Sequence, residues 1–366
     1  MKQTIAVVLV FAVFIVFLNA TACAFELSLS AQAYVLYCVE NDTVLLAHNE
    51  NEKMKPASTT KIMTTLLALE EAQKSDKLVC FEESMVAEGS SMYLKVADTV
   101  HLSDLCTGMM MASGNDAANA AAIAVSGDIE KFSTLMNKRA ASIGMKNTHF
   151  VTPSGLDDEM HYSTAYDMAL LMACALKNEK FAQLTREKSM TVDFLTPQKQ
   201  VTYTNHNRLL SMYEHCIGGK TGYTKSAGRC LVSAARKDGL TFVCVTLNAS
   251  DDWNDHIKMY DYGFEKIAGI DTDDSDERYT IDVVGSDIDN IALYCDSCGN
   301  TAVNAEDKDK IERTVYMPNF VYAPIHVGEY IGMVVYTLDD KVIASNPIFA
   351  KQSADRMKNK SFWDLF

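Results

Sequence analysis

The sequence predicts an α/β (α+β) fold: one antiparallel sheet flanked by helices, followed by a small all-β C-terminal domain. Three observations carry this expectation. Strand-like runs stand at both ends of the first 270 residues, helical periodicities fill the stretch between them, and an acidic heptapeptide sets off a further group of short strands.

In chain order, Tyr34 to Val39 and Val44 to Ala47 read as strands around the polar turn Glu40-Asn41-Asp42. Pro56 and Ser58 then announce a helix start, and Ile62, Met63, Leu66, Leu67 and Leu69 supply its broad apolar face. Ser58 therefore lies at or next to the N-terminus of a buried helix, with Lys61 one turn on and on the same side. Asp116 to Val125 is alanine-rich and suits tight packing. Asp128 caps a helix carrying Ile129, Phe132, Leu135, Met136 and Ile143, which Gly144 closes. Thr164 and Asp167 resemble a capping box ahead of Met168 to Leu176.

From residue 200 the pattern changes. Cys216 to Thr224, Arg229 to Ala235 and Thr241 to Leu247 read as strands, the last two joined by the hairpin turn Lys237-Asp238-Gly239. Trp253 to Ile267 reads as a helix. Asp271 to Glu277 holds five acids in seven residues and reads as a solvated linker. Tyr279 to Val284, Ile291 to Tyr294, Val315 to Met317 and Glu329 to Thr337 are short strand-like runs with no chemistry of their own.

The expected organisation is thus a signal peptide over 1–24, a main helix-and-sheet unit over 25–270, a linker over 271–278, a β-rich domain over 279–350 and a tail over 351–366. Lys2, the fourteen apolar residues Ile5 to Leu18 and the small-x-small site Ala22-Cys23-Ala24 make the export signal. An uncleaved anchor is the alternative. Leu18 sits too far upstream of Cys23 for lipoprotein processing. The tail mixes Lys358 and Lys360 with Phe362, Trp363, Leu365 and Phe366, which suits either an amphipathic membrane-surface contact or ordinary docking of a chain end.

The chain of 366 residues is 48% hydrophobic, enough for a full core plus a smaller domain. Its net charge of −15 becomes −16 without the signal, whose single lysine has no acid beside it, and this argues against nucleic acid as a partner. Cysteines number ten, nine after loss of Cys23, and Cys38, Cys174 and Cys244 lie in apolar stretches where a thiol packs as a small hydrophobe. Cys295-Asp296-Ser297-Cys298 has no second ligand pair nearby, so a local disulfide or two free thiols is favoured over a metal.

Three short signatures carry the chemistry. Ser58-Thr59-Thr60-Lys61 is followed 55 residues later by Ser113-Gly114-Asn115, and Lys220-Thr221-Gly222 comes a further 107 residues on. Alone, each fits a capped helix or a surface strand with an incidental lysine. Together they supply a nucleophile, a base, a proton relay and an anion-binding strand. A serine hydroxyl needs a base to take its proton. Lowering a lysine from about 10.4 to near 7 takes roughly 4 kcal/mol of differential interaction. Burial of Lys61 and a second cation, Lys220, both act in that direction, which predicts a neutral Lys61 and a charged Lys220. Ser113 is placed to carry a proton to a leaving amine, and Asn115 to hydrogen-bond Lys61 and a substrate amide.

Lys220 and Thr221 point to opposite faces of their strand unless it twists or bulges there. Together they suit a substrate carboxylate, with Gly222 leaving room for a ligand against the strand. The N–H groups of Ser58 and Tyr223 make a candidate oxyanion hole.

These residues resemble the serine-type D-Ala-D-Ala carboxypeptidases, the low-molecular-mass penicillin-binding proteins of the SxxK acyltransferase group. The likeness runs from about Ala31 to Lys266. It takes in Pro56-Ala-Ser-Thr-Thr-Lys-Ile-Met-Thr64, Ser113-Gly-Asn-Asp-Ala-Ala118, Gly144-Met-Lys-Asn-Thr-His-Phe150, Gly155-Leu-Asp-Asp158, His161-Tyr-Ser-Thr164 and Gly219-Lys-Thr-Gly-Tyr-Thr224. The acidic linker and β-rich end are similar to the family's second domain, more loosely.

The resemblance implies a β-lactamase/transpeptidase-like fold, Ser58 as acylated nucleophile, Lys61 as base, and Ser113 and Asn115 in proton transfer and binding. It implies Lys220 and Thr221 on the terminal carboxylate, peptidoglycan stem peptides ending in D-Ala-D-Ala as substrate, β-lactams as covalent mimics, and no cofactor or metal. It also implies a place in the cell wall or on the outer face of the cytoplasmic membrane. His161 reads as a brace for the loop before Thr164. Two rivals stand beside this reading. A serine β-lactamase needs an activator for deacylation, for which Glu187 is the nearest candidate in an unsupportive context. A penicillin-sensing or wall-binding module acylates without turnover.

Overall fold

The computed structural model of the chain describes residues 27–297 and 299–357. The expected signal peptide, Cys298 and the aromatic end of the tail lie outside the described residues.

The principal sheet has five antiparallel strands: β1 (Ala31–Cys38), β2 (Thr43–His48), β3 (Cys216–Thr224), β4 (Gly228–Lys237) and β5 (Leu240–Ala249), in the order β2-β1-β5-β4-β3. β5 is buried at every position except Asn248, as a central strand covered on both faces requires. β3 forms an edge, so its unpaired backbone is available to an extended ligand.

One face of the sheet carries α1 (Lys61–Ala72), α2 (Leu102–Met111), α3 (Asn115–Ser126), α4 (Ile129–Ile143), α5 (Ala165–Ala175) and α6 (Glu179–Arg186). The opposite face is covered by α7 (Asp252–Lys266), where Met259 and Tyr260 pack on Leu36, Phe242 and Cys244. α1 is buried over its first nine residues, Lys61 to Leu69, so it has no wet face until Glu70. Each fully buried Leu, Ile or Met there contributes about 2–3 kcal/mol, and this apolar wrapping encloses the Lys61 amine.

The caps follow the sequence. Asp128 accepts from Lys131 N, Thr164 accepts from Asp167 N, and Gly144 closes α4 with φ +94°. A short hairpin, Ser189–Phe194 with Lys199–Thr204, adds to the helical side and has no counterpart among the expected elements.

The C-terminal part is a six-stranded sheet: β6 (Tyr279–Val284), β7 (Asn290–Cys295), β8 (Glu312–Tyr316), β9 (Phe320–Tyr322), β10 (Tyr330–Leu338) and β11 (Lys341–Ala350), ordered β8-β10-β11-β7-β6-β9. β11 escaped the sequence reading because Asn346-Pro347 interrupts its apolar pattern. Its own core includes Ile281, Ile291, Val334, Tyr336 and Ile348.

The expectation of a solvated linker over 271–278 is corrected at Thr272 and Asp274, which are buried. Ile267–Asp271 is a strand paired with Asn300–Asn304, and Asp274 is only 2% exposed. Asp274 accepts from both Nε and Nη2 of Arg313 (3.0 and 2.7 Å), from Tyr336 and from Asn346 Nδ2 at 2.8 Å. Charge density predicts solvation only where no partners converge, and here four donors converge on one carboxylate.

Candidate active site

The nucleophile turn comes first. Ala57–Thr60 forms a 3-10 turn leading into α1, and Ala57 has φ +48°. Ser113, at the end of α2, has φ +57°. Two non-glycine residues in the left-handed region within one site store about 1–3 kcal/mol each, held in place by their surroundings.

Lys61 is fully buried and its Nζ has three partners: Ser58 Oγ at 3.0 Å, Asn115 Oδ1 at 2.7 Å and the Ser154 carbonyl at 2.8 Å. The Asn115 orientation is fixed independently, because its Nδ2 donates to the Glu88 carbonyl at 2.6 Å. That bond takes one of the two N–H groups expected to meet a substrate amide. Burial first, and then the Lys220 ammonium, push Lys61 well below the ordinary lysine range, against a pull upward from Asp116. A neutral amine has two N–H donors and one lone pair. Asn115 Oδ1 and the Ser154 carbonyl accept only, so they claim both donors, and the lone pair is left for the Ser58 hydroxyl proton.

Lys220 sits on β3 with its side chain buried, and its Nζ donates to Ser113 Oγ at 3.0 Å and to the Thr221 carbonyl at 2.7 Å. The bulge in this strand lies between Cys216 and Gly218, upstream of the motif. The alternation therefore holds: Lys220 reaches Ser113 from the buried side, while Thr221 lines the open cleft. The expected charge on Lys220 is carried only below about pH 7. Burial lowers its pKa to about 7, because an ammonium there has left water without gaining a carboxylate.

Gly222 has a structural role as well: a Cβ there would stand 3.0 Å from both Pro56 O and Ser58 N, so its bareness lets β3 approach the nucleophile turn.

Two supports hold the turn from below. His161 is buried; its Nδ1 accepts from Val151 N at 3.0 Å and Thr152 N at 3.2 Å, so Nε2 carries the proton and donates to Thr60 Oγ1 at 2.9 Å. Burial lowers this imidazole to about 4, so it stays neutral and acts as a brace. Gly155, at φ +82°, packs so closely that a Cβ would lie 1.9 Å from the Ala57 carbonyl oxygen. Gly155→Ala is expected to cost at least about 3 kcal/mol, from a left-handed penalty plus a backbone clash, and to displace Ser58. Thermal unfolding with penicillin labelling measures both, and an unshifted Tm with normal labelling refutes it.

A cleft of about 510 Å³ opens over these groups, lined by the expected Ser58, Ser113, Thr221, Gly222 and Tyr223. It is also lined by Ser90, His206, Arg229, Asp252 and Trp253, none of which the sequence singled out. Burial, and then Lys220, hold the His206 imidazole below its ordinary range. Asp116 anchors the loop bearing Ser90, accepting from Met92 N at 2.8 Å, Leu94 N at 3.1 Å and Ser91 Oγ at 2.6 Å. Glu187 lies apart, in a different hollow with Leu69 and Lys180. A larger hollow of 810 Å³ near Tyr37 and Arg139 contains none of the three signatures.

Residues 19–251 match the family model of D-alanyl-D-alanine carboxypeptidases. The chain belongs to that family. A second model, the C-terminal domain of penicillin-binding protein 5, matches residues 271–356. Among curated relatives, D-alanyl-D-alanine carboxypeptidase DacF of Bacillus subtilis is 33% identical over 92% of this chain and 88% of its own. Among solved structures, penicillin-binding protein 5 of Haemophilus influenzae aligns with TM-score 0.69 at 28% identity, over 90% of this chain and 99% of that one. DacD of Francisella tularensis aligns with TM-score 0.65 at 27% identity, covering 90% and 95%. The carboxypeptidase is thus a serine-type peptidase with a β-rich domain of the penicillin-binding protein 5 kind.

Proposed function

We propose that this protein removes the terminal D-alanine from peptidoglycan stem pentapeptides through an acyl-enzyme on Ser58, and that β-lactams acylate the same serine. The observation that carries the proposal is the Lys61 amine, whose two acceptors leave its lone pair for Ser58 at 3.0 Å. Lys61 takes the hydroxyl proton, and Oγ attacks the carbonyl of the penultimate D-alanine. The N–H groups of Ser58 and Tyr223 receive the oxyanion. Ser113, bonded to Lys220, passes a proton to the departing amine as the C–N bond breaks. Lys220 and Thr221 hold the carboxylate of the leaving D-alanine, and water then cleaves the ester.

The same proposal places an export signal at 1–24, the catalytic unit at 25–270 and the β-rich domain at 279–350, after a linker over 271–278. Action is outside the cytoplasm, with the aromatic end of the 351–366 tail meeting the membrane surface; the start of that tail docks on the β-rich domain, where Ala354 is buried and bridged to Ile325. Among the described residues no helix is long and apolar enough to cross a membrane.

The test is D-alanine release from diacetyl-Lys-D-Ala-D-Ala. Fluorescent penicillin labelling without release favours a sensor and overturns the carboxypeptidase reading, and rapid nitrocefin hydrolysis favours a β-lactamase.

A pH dependence follows. In the free enzyme Lys220 loses its proton as pH rises through about 7, and with it the cation that meets the carboxylate. kcat/KM is therefore expected to fall above about pH 7 and, at the acid end, where Lys61 takes up a proton. A bound carboxylate favours the charged amine, so the alkaline limb of kcat moves to higher pH than that of kcat/KM. Coincident alkaline limbs would remove Lys220 from carboxylate binding.

A further inference from the structure

The cleft has two charged ends, and the mechanism above uses one. Lys220 and Ser113 stand on one side of Ser58. Gly222 abuts the Ser58 turn, and the next residue, Tyr223, is paired in register with Arg229 of β4. Arg229, Asp252 and Trp253 line the same cleft as Ser58.

This second end is a built group. The Asp252 side chain is only 3% exposed, against 44% for Arg229. Asp252 Oδ1 accepts from Arg229 Nη2 at 2.5 Å and from Trp253 N at 2.9 Å. The guanidinium carbon lies 5.7 Å from the centroid of the Trp253 ring. One N–H is thus committed, the plane is steadied by an aromatic ring, and among the described residues no other acceptor claims the remaining donors of Arg229. Guanidinium presents two forked edges, each matched to a carboxylate, and one edge stays open to the cleft.

Direction comes from the strand. Tyr223 is three residues on from Lys220, about 10 Å of extended chain, with Ser58 between. With the leaving D-alanine at the Lys220 end, the acyl half of the substrate runs from Ser58 past Tyr223 toward Arg229. We infer that Arg229, held by Asp252 and Trp253, is a specificity determinant that binds a free carboxylate on the acyl side of the scissile bond. This rests on the carboxypeptidase reading, which sets the direction. Asp252 cancels most of the net charge, so selection comes from short-range forked hydrogen bonds rather than long-range attraction.

Two positions in a stem peptide can supply such a group: the side chain of the residue before the two D-alanines, as in a diaminopimelyl peptide, and the α-carboxylate of a γ-linked glutamyl residue further up. D-alanine release by the full chain is measured on both, each against its carboxamide. The expected result is a kcat/KM about tenfold higher for the carboxylate of one pair, which identifies the source, and a ratio near one for both pairs in R229Q. R229K, a cation without the fork, is expected to keep a ratio of about three.

Equal rates for carboxylate and carboxamide in the native protein, or a preference that survives in R229Q, overturn the inference. Should R229Q fail to fold, the native ratio and its reduction in R229K decide. Release from every peptide without a ratio overturns this inference alone; no release from any peptide overturns the carboxypeptidase reading with it.

Discussion

Ser58→Ala is expected to abolish covalent penicillin labelling and to lower D-alanine release by at least about 10⁴-fold. The size follows from chemistry rather than packing. Among the described residues no other hydroxyl meets the Lys61 lone pair: Ser113 Oγ is bonded to Lys220, and Thr60 Oγ1 to His161. Substrate binding should survive, because Thr221 and Lys220 lie on β3 and Ser58 on the turn before α1. The variant therefore makes an inert trap, and its affinity for the stem peptide should stay within a few-fold of the native protein. Appreciable D-alanine release by a properly folded Ser58→Ala protein would show that another group attacks the peptide.

Lys61→Arg should slow acylation by about 10³–10⁴-fold while leaving the nucleophile in place. Three features of the site combine against arginine. A guanidinium does not deprotonate at neutral pH, so it has no lone pair to offer. The pocket is fully buried and shaped around one nitrogen with three neighbours at 2.7–3.0 Å. A permanent cation there also faces burial and Lys220, which the Asp116 carboxylate offsets only in part, so lower thermal stability is expected alongside the lost rate. Single-turnover labelling with fluorescent penicillin, read beside the melting curve, separates the two effects. Normal labelling kinetics in Lys61→Arg would assign the base to another group.

Much of the fold was legible because periodicity reports which face of an element is buried. The apolar spacing of Ile62, Met63, Leu66 and Leu67 marked α1, and the hairpin turn Lys237-Asp238-Gly239 joined β4 to β5. Caps were legible for the same local reason: Asp128, Thr164 and Gly144 act within one turn of themselves. The C-terminal sheet was read less fully. Asn346 is buried by its bond to Asp274, a partner 72 residues away that no local pattern displays.

The site divides similarly. Ser58, Lys61, Ser113, Asn115, Lys220 and Thr221 were named from three short signatures, and the structure brings them together through the contacts of Lys61 and Lys220. The Ser154 and Glu88 carbonyls were invisible beforehand, since every residue has a carbonyl and only the fold aims one. His206, Arg229, Asp252 and Trp253 reach the cleft from loops and element ends with no motif to mark them.

By itself, then, the sequence determined which chemical groups are present, in what order, and on which helices and strands, because those properties depend on neighbours within a turn or two. Tertiary structure alone decided the state of those groups. Burial lowered Lys220 to about 7, and convergence of distant donors drew Asp274 out of solvent. Close approach of β3 to the serine turn gave Gly222 a second role. Desolvation, Coulomb interaction and steric contact all depend on distances between residues far apart in the chain, and folding sets those distances.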